Sequence, residues 1–241
     1  LFEREIAKAP RQPAARQEVV VLAQALSRVH PGGALPYVLR AMRGLPAHPA
    51  LRSLVAQAAT REDAPVLAEF GMKLPDSNPG AHLAVIKAFR KLRDRSAVPY
   101  LVKQLKSPSE SVRREAALAL GSTAGRDRFD DLAAALRKEI AATNKLPEGR
   151  TPRGISDWLN SLRAAGDPRA CAVFLEIAET CKHRAIRVLA ARQMRVCVDP
   201  KLGARIYKLY KGTEDEHLQR MLKLVLAQAP GYGYKWDEKA Q

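Results

Sequence analysis

The chain has 241 residues, of which 46% are hydrophobic and only 5% are aromatic. This content suffices for a sizeable core and excludes a globally disordered chain. The formal net charge of +16 predicts attraction to nucleic acid, an anionic membrane or an acidic protein, or else serves solubility alone. No apolar run approaches the ~20 residues that a membrane span needs.

The predicted elements are helices, because alanine and leucine dominate and β-branched runs are short. In chain order, the helical segments that pattern as repeating units are 35–42, 64–70, 83–92, 96–105, 112–121, 129–140, 167–177, 186–194, 199–209 and 215–229.

Prolines recur at a steady interval along the chain. They are Pro36, Pro65, Pro99, Pro168 and Pro200, at steps of 29, 34, 69 and 32 residues. The long step equals two units, with Asp130 near the place of the missing proline. Since proline is tolerated in the first turn of a helix, each one marks the start of the second helix of a pair. A period in the low thirties with two helices per unit predicts an α-solenoid.

The stretch 107–121, SPSESVRREAALALG, illustrates one unit. Val112, Ala116 and Leu120 recur every fourth residue and form one apolar stripe. Gly121 stands where a helix C-terminal cap is expected. The segment 129–140 follows as the second helix of this hairpin.

The segment VRREAALALG, 112–121, resembles the HEAT repeat of the short bacterial type, whose first helix typically reads V-R-x-x-A-A-x-A-L-G. A second copy, IRVLAARQM at 186–194, is similar, and the resemblance is good over 81–140 and 183–210. It implies an all-α, right-handed, armadillo-like α-solenoid of about six helical hairpins with a C-terminal capping helix. Ser107 stands where the family commonly has an aspartate, so we expect no inter-repeat polar ladder in this unit.

The predicted solenoid spans 1–229, with a kink expected at 73–80 and a long loop at 143–157. The last helix carries an apolar stripe of Leu218, Met221, Leu222 and Val225. The tail at 230–241 is aromatic and is expected to lie back on that helix or to contact a partner.

No catalytic or metal-binding constellation is recognisable, so neither an enzyme nor a cofactor is expected. Some HEAT-like proteins are DNA glycosylases or bilin lyases. Asp157 and Trp158 are an adjacent acidic and tryptophan pair that could suggest the glycosylase activity. Adjacent side chains diverge by ~100° on a helix. This favours the interpretation that Asp157 begins a helix and that Trp158 lies in the core.

The three cysteines, Cys171, Cys181 and Cys197, are expected to be buried free thiols in a reducing, cytoplasmic compartment. A chain that begins at Leu1 is expected to be trimmed or processed, which leaves export or anchoring open.

The positive charge is concentrated in two hairpins. Residues 81–106 carry +6 and residues 181–211 carry +8. On the helix after Pro200, an inner stripe of Leu202, Ile206 and Leu209 is predicted, beside an exposed basic ridge. The predicted partner-binding residues are Lys201, Arg205, Lys208, Arg184, Arg187, Arg195, Lys87, Arg90, Lys91, Lys103 and Lys106.

Two functions fit this basic surface. The first, which we favour, is a scaffold that binds an acidic segment of a partner protein, because tandem helical repeats mostly serve protein recognition. The resemblance to HEAT repeats implies that Arg187 could instead make contacts within the helical stack. The second is a solenoid that contacts the phosphates of nucleic acid without reading bases.

Overall fold

The computed structural model describes residues 4–5, 13–30, 33–45, 48–147, 154–197 and 199–228. Within these ranges thirteen α-helices follow one another and no strand occurs, which confirms the predicted all-α solenoid class. The predicted tail at 230–241 lies outside the described residues, and so does the middle of the predicted loop at 143–157.

In chain order, the thirteen helices of the described residues correspond to the first and second helices of six predicted hairpins, followed by one final helix. The first helices of the pairs are α1 (Pro13–Val29), α3 (Pro49–Ala58), α5 (Pro79–Leu92), α7 (Glu110–Ala124), α9 (Ile155–Ala164) and α11 (Arg184–Gln193). The second helices are α2 (Leu35–Gly44), α4 (Ala64–Lys73), α6 (Val98–Gln104), α8 (Phe129–Thr143), α10 (Ala170–Thr180) and α12 (Gly203–Gly212). The final helix is α13 (Glu216–Gln228).

The chain divides into two compact units, residues 1–124 and residues 125–241. The boundary falls between α7 and α8, so the two helices of the fourth predicted hairpin belong to different units. The segment 73–80 lies inside the first unit, between α4 and α5, and the kink predicted there stays a prediction, as does the right-handed sense of the stack.

Each unit is built from two layers of helices stacked in chain order. In the first unit, α1 packs on α3, α3 on α5 and α5 on α7, while α4 lies against α6. In the second unit, α9 packs on α11 and α11 on α13, while α8 lies against α10. Packing of successive first helices on one another within each unit is the local arrangement of an α-solenoid.

The regularly spaced prolines lie at or just before helix starts, as predicted. Pro36, Pro65 and Pro99 occupy the first turns of α2, α4 and α6. Pro168 stands in the turn before α10, and Pro200 begins a short 3₁₀ turn before α12. Prolines are accommodated there because the first N–H groups of a helix have no intrahelical acceptor.

The apolar stripe of α7 is confirmed, since Val112, Ala116 and Leu120 are fully buried. The predicted cap at Gly121 is wrong, because α7 continues to Ala124 and Gly121 is buried within it. An interior glycine costs about 1 kcal/mol relative to alanine. The additional turn offsets this cost by burying Ala124.

Candidate functional site

The predicted partner-binding residues fall in both units, and the structure gives them different surroundings. In the first unit, Lys87 and Lys106 are exposed and have no ion-pair partner among the described residues. Their three predicted companions make contacts within the stack. Arg90 Nη1 lies 2.7 Å from Glu115 Oε1, Lys91 Nζ donates to the carbonyl oxygen of Ala56 at 3.0 Å, and Lys103 Nζ donates to that of Met72 at 3.4 Å.

Two of the predicted arginines on α11 also hold the second unit together. Arg187 Nε donates to the carbonyl oxygen of Ala178 at 2.8 Å, which matches the expectation that this position is tied up in the stack. Arg184 Nε lies 2.9 Å from Asp215 Oδ2. Burial raises the pKa of Asp215, but the hydrogen bonds from Arg184 and from backbone N–H groups outweigh it, so the pKa lies below its ordinary value.

The basic ridge of α12 is also divided. Lys201 and Lys208 are exposed without an ion-pair partner among the described residues. Arg205, although exposed, pairs with Glu179 at the end of α10, with Nε 2.9 Å from Oε1. This hydrogen bond raises the pKa of Arg205 above its ordinary value. Tertiary packing therefore places a carboxylate beside the central member of the ridge.

Two aromatic side chains lie beside the α12 ridge. The rings of Tyr207 and Tyr210 lie 6.1 Å apart, and Lys211 Nζ lies 5.7 and 5.8 Å from their centroids. Of the predicted inner stripe, only Ile206 is fully buried, while Leu202 and Leu209 are half-buried. Among the described residues, α12 is the last of the second helices. Leu202 and Leu209 therefore keep part of their apolar surface exposed.

A second basic surface, absent from the sequence prediction except for Arg195, lies between α9 and α11. It is a groove of about 540 Å³, named here the arginine groove. Its lining residues are Ser156, Asn160, Arg163, Leu189, Arg192, Gln193, Arg195 and Val196. Gln193 Nε2 donates to Asn160 Oδ1 at 3.2 Å and so links the two helices. The signal available in the sequence was the helical spacing of Ser156, Asn160 and Arg163, which places them on one face of α9.

Asp157 and Trp158, the pair considered for catalysis, occupy positions typical of a helix start and of a core. Trp158 is buried in α9 and Asp157 lies in its first turn. Among the described residues, no three histidine, cysteine, aspartate or glutamate side chains cluster in a way that could hold a metal ion.

The cysteines are free thiols, but they are not uniformly buried. Cys171 and Cys181 are buried, as predicted, whereas Cys197 is only half-buried. It follows the 3₁₀ turn Met194–Val196 instead of lying within a helix. Its predicted burial is therefore wrong, because the chain there leaves the helical layer. The Cys171 thiol donates to the carbonyl oxygen of Cys197.

In the part of the chain that the structure describes, no helix is long and apolar enough to cross a membrane.

Comparison with known proteins agrees with the helical stack. Residues 67–145 match the family model described as HEAT repeats. This range contains the segment 81–140, where the resemblance was expected to be good. The other such segment, 183–210, which includes the second copy at 186–194, lies outside the matched range. No curated protein matches the chain. With α5 to α8 inside the matched range, residues 67–145 are a HEAT-repeat region, and the all-helical fold of the described residues agrees with a HEAT-repeat stack.

Proposed function

We propose that this protein is a non-catalytic scaffold that binds an acidic segment of a partner protein. HEAT repeats are commonly protein-interaction scaffolds, and the proposed contact surface is the α12 face. We define this face as Lys201, Lys208 and Lys211 together with Tyr207 and Tyr210.

The observation that carries the proposal is the mixture of cationic and apolar surface on one short helix and the 3₁₀ turn before it. Three lysines are exposed beside two half-buried tyrosines and the half-buried Leu209. A protein segment with alternating carboxylates and apolar side chains can use both kinds of surface. Tyrosine is enriched at protein interfaces because its ring supplies apolar area and its hydroxyl supplies a polar contact.

The alternative is a nucleic-acid-binding face in which the lysines contact phosphates and the tyrosines stack on single-stranded bases. The two functions differ in their salt dependence. Each phosphate contact to duplex DNA adds about 0.9 to the slope of log affinity against log salt concentration. A mixed ionic and apolar protein contact is expected to have a shallower slope because part of its affinity comes from buried apolar area.

The test measures binding of three fluorescent probes by anisotropy between 50 and about 300 mM salt, a range over which phosphate contacts weaken strongly. The probes are a peptide of alternating glutamate and leucine, a single-stranded oligonucleotide and a DNA duplex. We expect the peptide to bind most tightly. The variant Lys201→Glu/Lys208→Glu should weaken it at least tenfold, because both charges at the contact are reversed.

The matched control is Lys145→Glu/Lys182→Glu, which makes the same charge change at exposed lysines in the turn after α8 and just before α11. It should leave peptide affinity nearly unchanged. Equal losses in the two variants would mean that only the overall charge matters. Tighter binding of either nucleic acid through Lys201 and Lys208 would favour the alternative.

We further propose that the protein has no catalytic activity or tight metal site of its own and acts in a reducing, cytoplasmic compartment. The surroundings of Asp157 and Trp158 support the first statement, and the free thiols support the second. Stoichiometric zinc that survives dialysis, or excision of alkylated bases that Asp157→Asn abolishes, would contradict the non-catalytic proposal.

A further inference from the structure

The arginine groove gathers positive charge from two neighbouring helices of the same layer. Arg163 comes from α9 and Arg192 from α11, and neither has an ion-pair partner among the described residues. Arg195, just after α11, lines the same groove. None of the eight lining residues is acidic. The groove thus differs from the α12 ridge, where Glu179 neutralises Arg205.

Like charges that share one groove repel each other, and the repulsion is stronger near a protein surface than in bulk water. Many side chains relieve such repulsion by losing a proton, but a guanidinium does not deprotonate in proteins. An anion bound between the arginines would compensate this repulsion. Their fork of N–H donors matches the oxygen atoms of a carboxylate or a phosphate group.

The polar residues of the groove also offer donors. Asn160 accepts the hydrogen bond from Gln193 through Oδ1, so its amide N–H groups remain available. Ser156 adds a hydroxyl group to the lining. These donors, together with at least two guanidinium groups, exceed what one carboxylate can accept. A phosphate monoester, with a charge of about −1.5 to −2 and three strong acceptor oxygens, matches them better.

The shape and the apolar lining indicate what carries the phosphate. The volume of about 540 Å³ lies within the roughly 300–1,000 Å³ of ligand-sized pockets, so the groove has room for more than the phosphate alone. Leu189 and the exposed Val196 line it, and no aromatic side chain does. Single-stranded nucleic acid is usually held by aromatic stacking, whereas aliphatic side chains pack well against those of a peptide.

We propose that the arginine groove binds a phosphorylated segment of a partner protein, with Arg163 and Arg192 contacting the phosphate monoester. Recognition of phosphorylated motifs by clustered arginines is a recurrent mode of peptide binding. The proposal does not rest on the function assigned to the α12 face, because the two surfaces share no residue.

The experiment measures binding of three degenerate peptide pools that differ only at one fixed central position. That position is phosphoserine in the first pool, serine in the second and glutamate in the third. We expect the intact protein to bind the phosphoserine pool at least tenfold more tightly than the other two. Inorganic phosphate at millimolar concentration should compete with it.

Two pairs of variants test the residues. Arg163→Gln/Arg192→Gln should abolish the preference for phosphoserine, while Lys145→Gln/Lys182→Gln, which removes the same net charge elsewhere, should retain it. Arg163→Lys/Arg192→Lys keeps the charge but loses the bidentate fork, so it should retain only part of the preference. Because Arg163 and Arg192 are exposed, thermal unfolding should show that all variants remain folded.

The outcomes separate the ligand classes. Equal binding of the phosphoserine and serine pools by the intact protein would overturn the proposal, and so would equal binding of the glutamate pool. A single-stranded oligonucleotide that binds more tightly than phosphoserine through Arg163 and Arg192 would overturn it in favour of nucleic acid. Lys201→Glu/Lys208→Glu should leave phosphoserine binding intact, so failure of the α12 proposal is distinguishable from failure of this one.

Discussion

The guanidinium group of Arg205 lies against the carboxylate of Glu179, with Nε 2.9 Å from Oε1 and Nη2 hydrogen-bonded to Oε2. The pair joins α12 to the end of α10 within the second unit. Arg205 therefore differs from Lys201 and Lys208, with which the sequence analysis grouped it, because it is held in an ion pair.

Replacing Arg205 by glutamate should lower the free energy of unfolding by about 1 kcal/mol, because a surface ion pair is worth about 0–1 kcal/mol and two like charges then face each other. Lys201→Glu/Lys208→Glu should change it by less than about 0.5 kcal/mol per site. Urea unfolding measures both. The double variant Arg205→Glu/Glu179→Arg should recover stability. Equal stability of all variants would mean that the pair contributes nothing in solution.

The hydrogen bonds of the Asp167 carboxylate should make the free energy of unfolding depend on pH in acid. It accepts hydrogen bonds from the backbone N–H of Arg169 at 2.8 Å and from Arg169 Nη2 at 2.9 Å. The side-chain hydrogen bond of Arg169 is the main cause that holds the pKa of Asp167 below its ordinary value. In acid the unfolded chain then binds a proton more readily than the folded chain. This contribution to stability is complete above about pH 4, the ordinary range of aspartate, and is lost as the pH falls through the lower, folded pKa.

Asp167→Asn should therefore cost about 1 kcal/mol at pH 7, as expected for weakening the hydrogen bonds between a buried carboxylate and an exposed arginine. It should also flatten the loss of stability below pH 4. Chemical unfolding at pH 7, 4 and 3 measures this. The control is Asp131→Asn, since Asp131 makes only a 3.6 Å contact with Arg128. A wild-type acid profile that Asp167→Asn leaves unchanged would contradict the prediction.

Gly71 in α4 permits close packing against α6. A Cβ atom added at Gly71 would lie 2.8 Å from Cε2 of Tyr100, a buried ring that also contacts Phe89 and hydrogen-bonds to His82. Because this ring has little room to shift, Gly71→Ala should destabilise the protein by about 1–3 kcal/mol through overpacking, reduced by the ~1 kcal/mol gain in helix propensity. Thermal unfolding measures it. Gly212→Ala, with open space around the added methyl group, should not destabilise.

The buried His82 predicts a second pH effect, in the first unit. Its Nδ1 lies 2.9 Å from the Tyr100 hydroxyl oxygen, and burial lowers the pKa of His82 below its ordinary value. The unfolded chain then binds more protons below about pH 6.5, so stability is complete above that pH and falls as the pH decreases towards the folded pKa.

His82→Gln should flatten the change of unfolding free energy between pH 7 and 5, whereas His217→Gln, at an exposed position, should preserve it. A steep pH dependence that persists in His82→Gln would show that another group is responsible.

The periodic positions of α7 and α13 illustrate what the sequence could predict. Val112, Ala116 and Leu120 are buried as their spacing indicated, and so are Leu218, Leu222 and Val225. Helix starts followed from Pro36, Pro65 and Pro99 for the same local reason. A helix end was less predictable, because Gly121 stays helical where the burial of Ala124 offsets its propensity.

The sequence by itself determined the class of fold, the rhythm of helix pairs and the two basic segments. These depend on periodicity, on proline geometry and on composition, all of which act over a few residues. Tertiary structure alone decided which charges remain available. Glu179 meets Arg205 from 26 residues away, Asp215 meets Arg184 from 31 residues away, and Arg163 shares a groove with Arg192 across two helices. Such pairing depends on how neighbouring helices are placed in space, and the spacing of residues along one helix does not predict it.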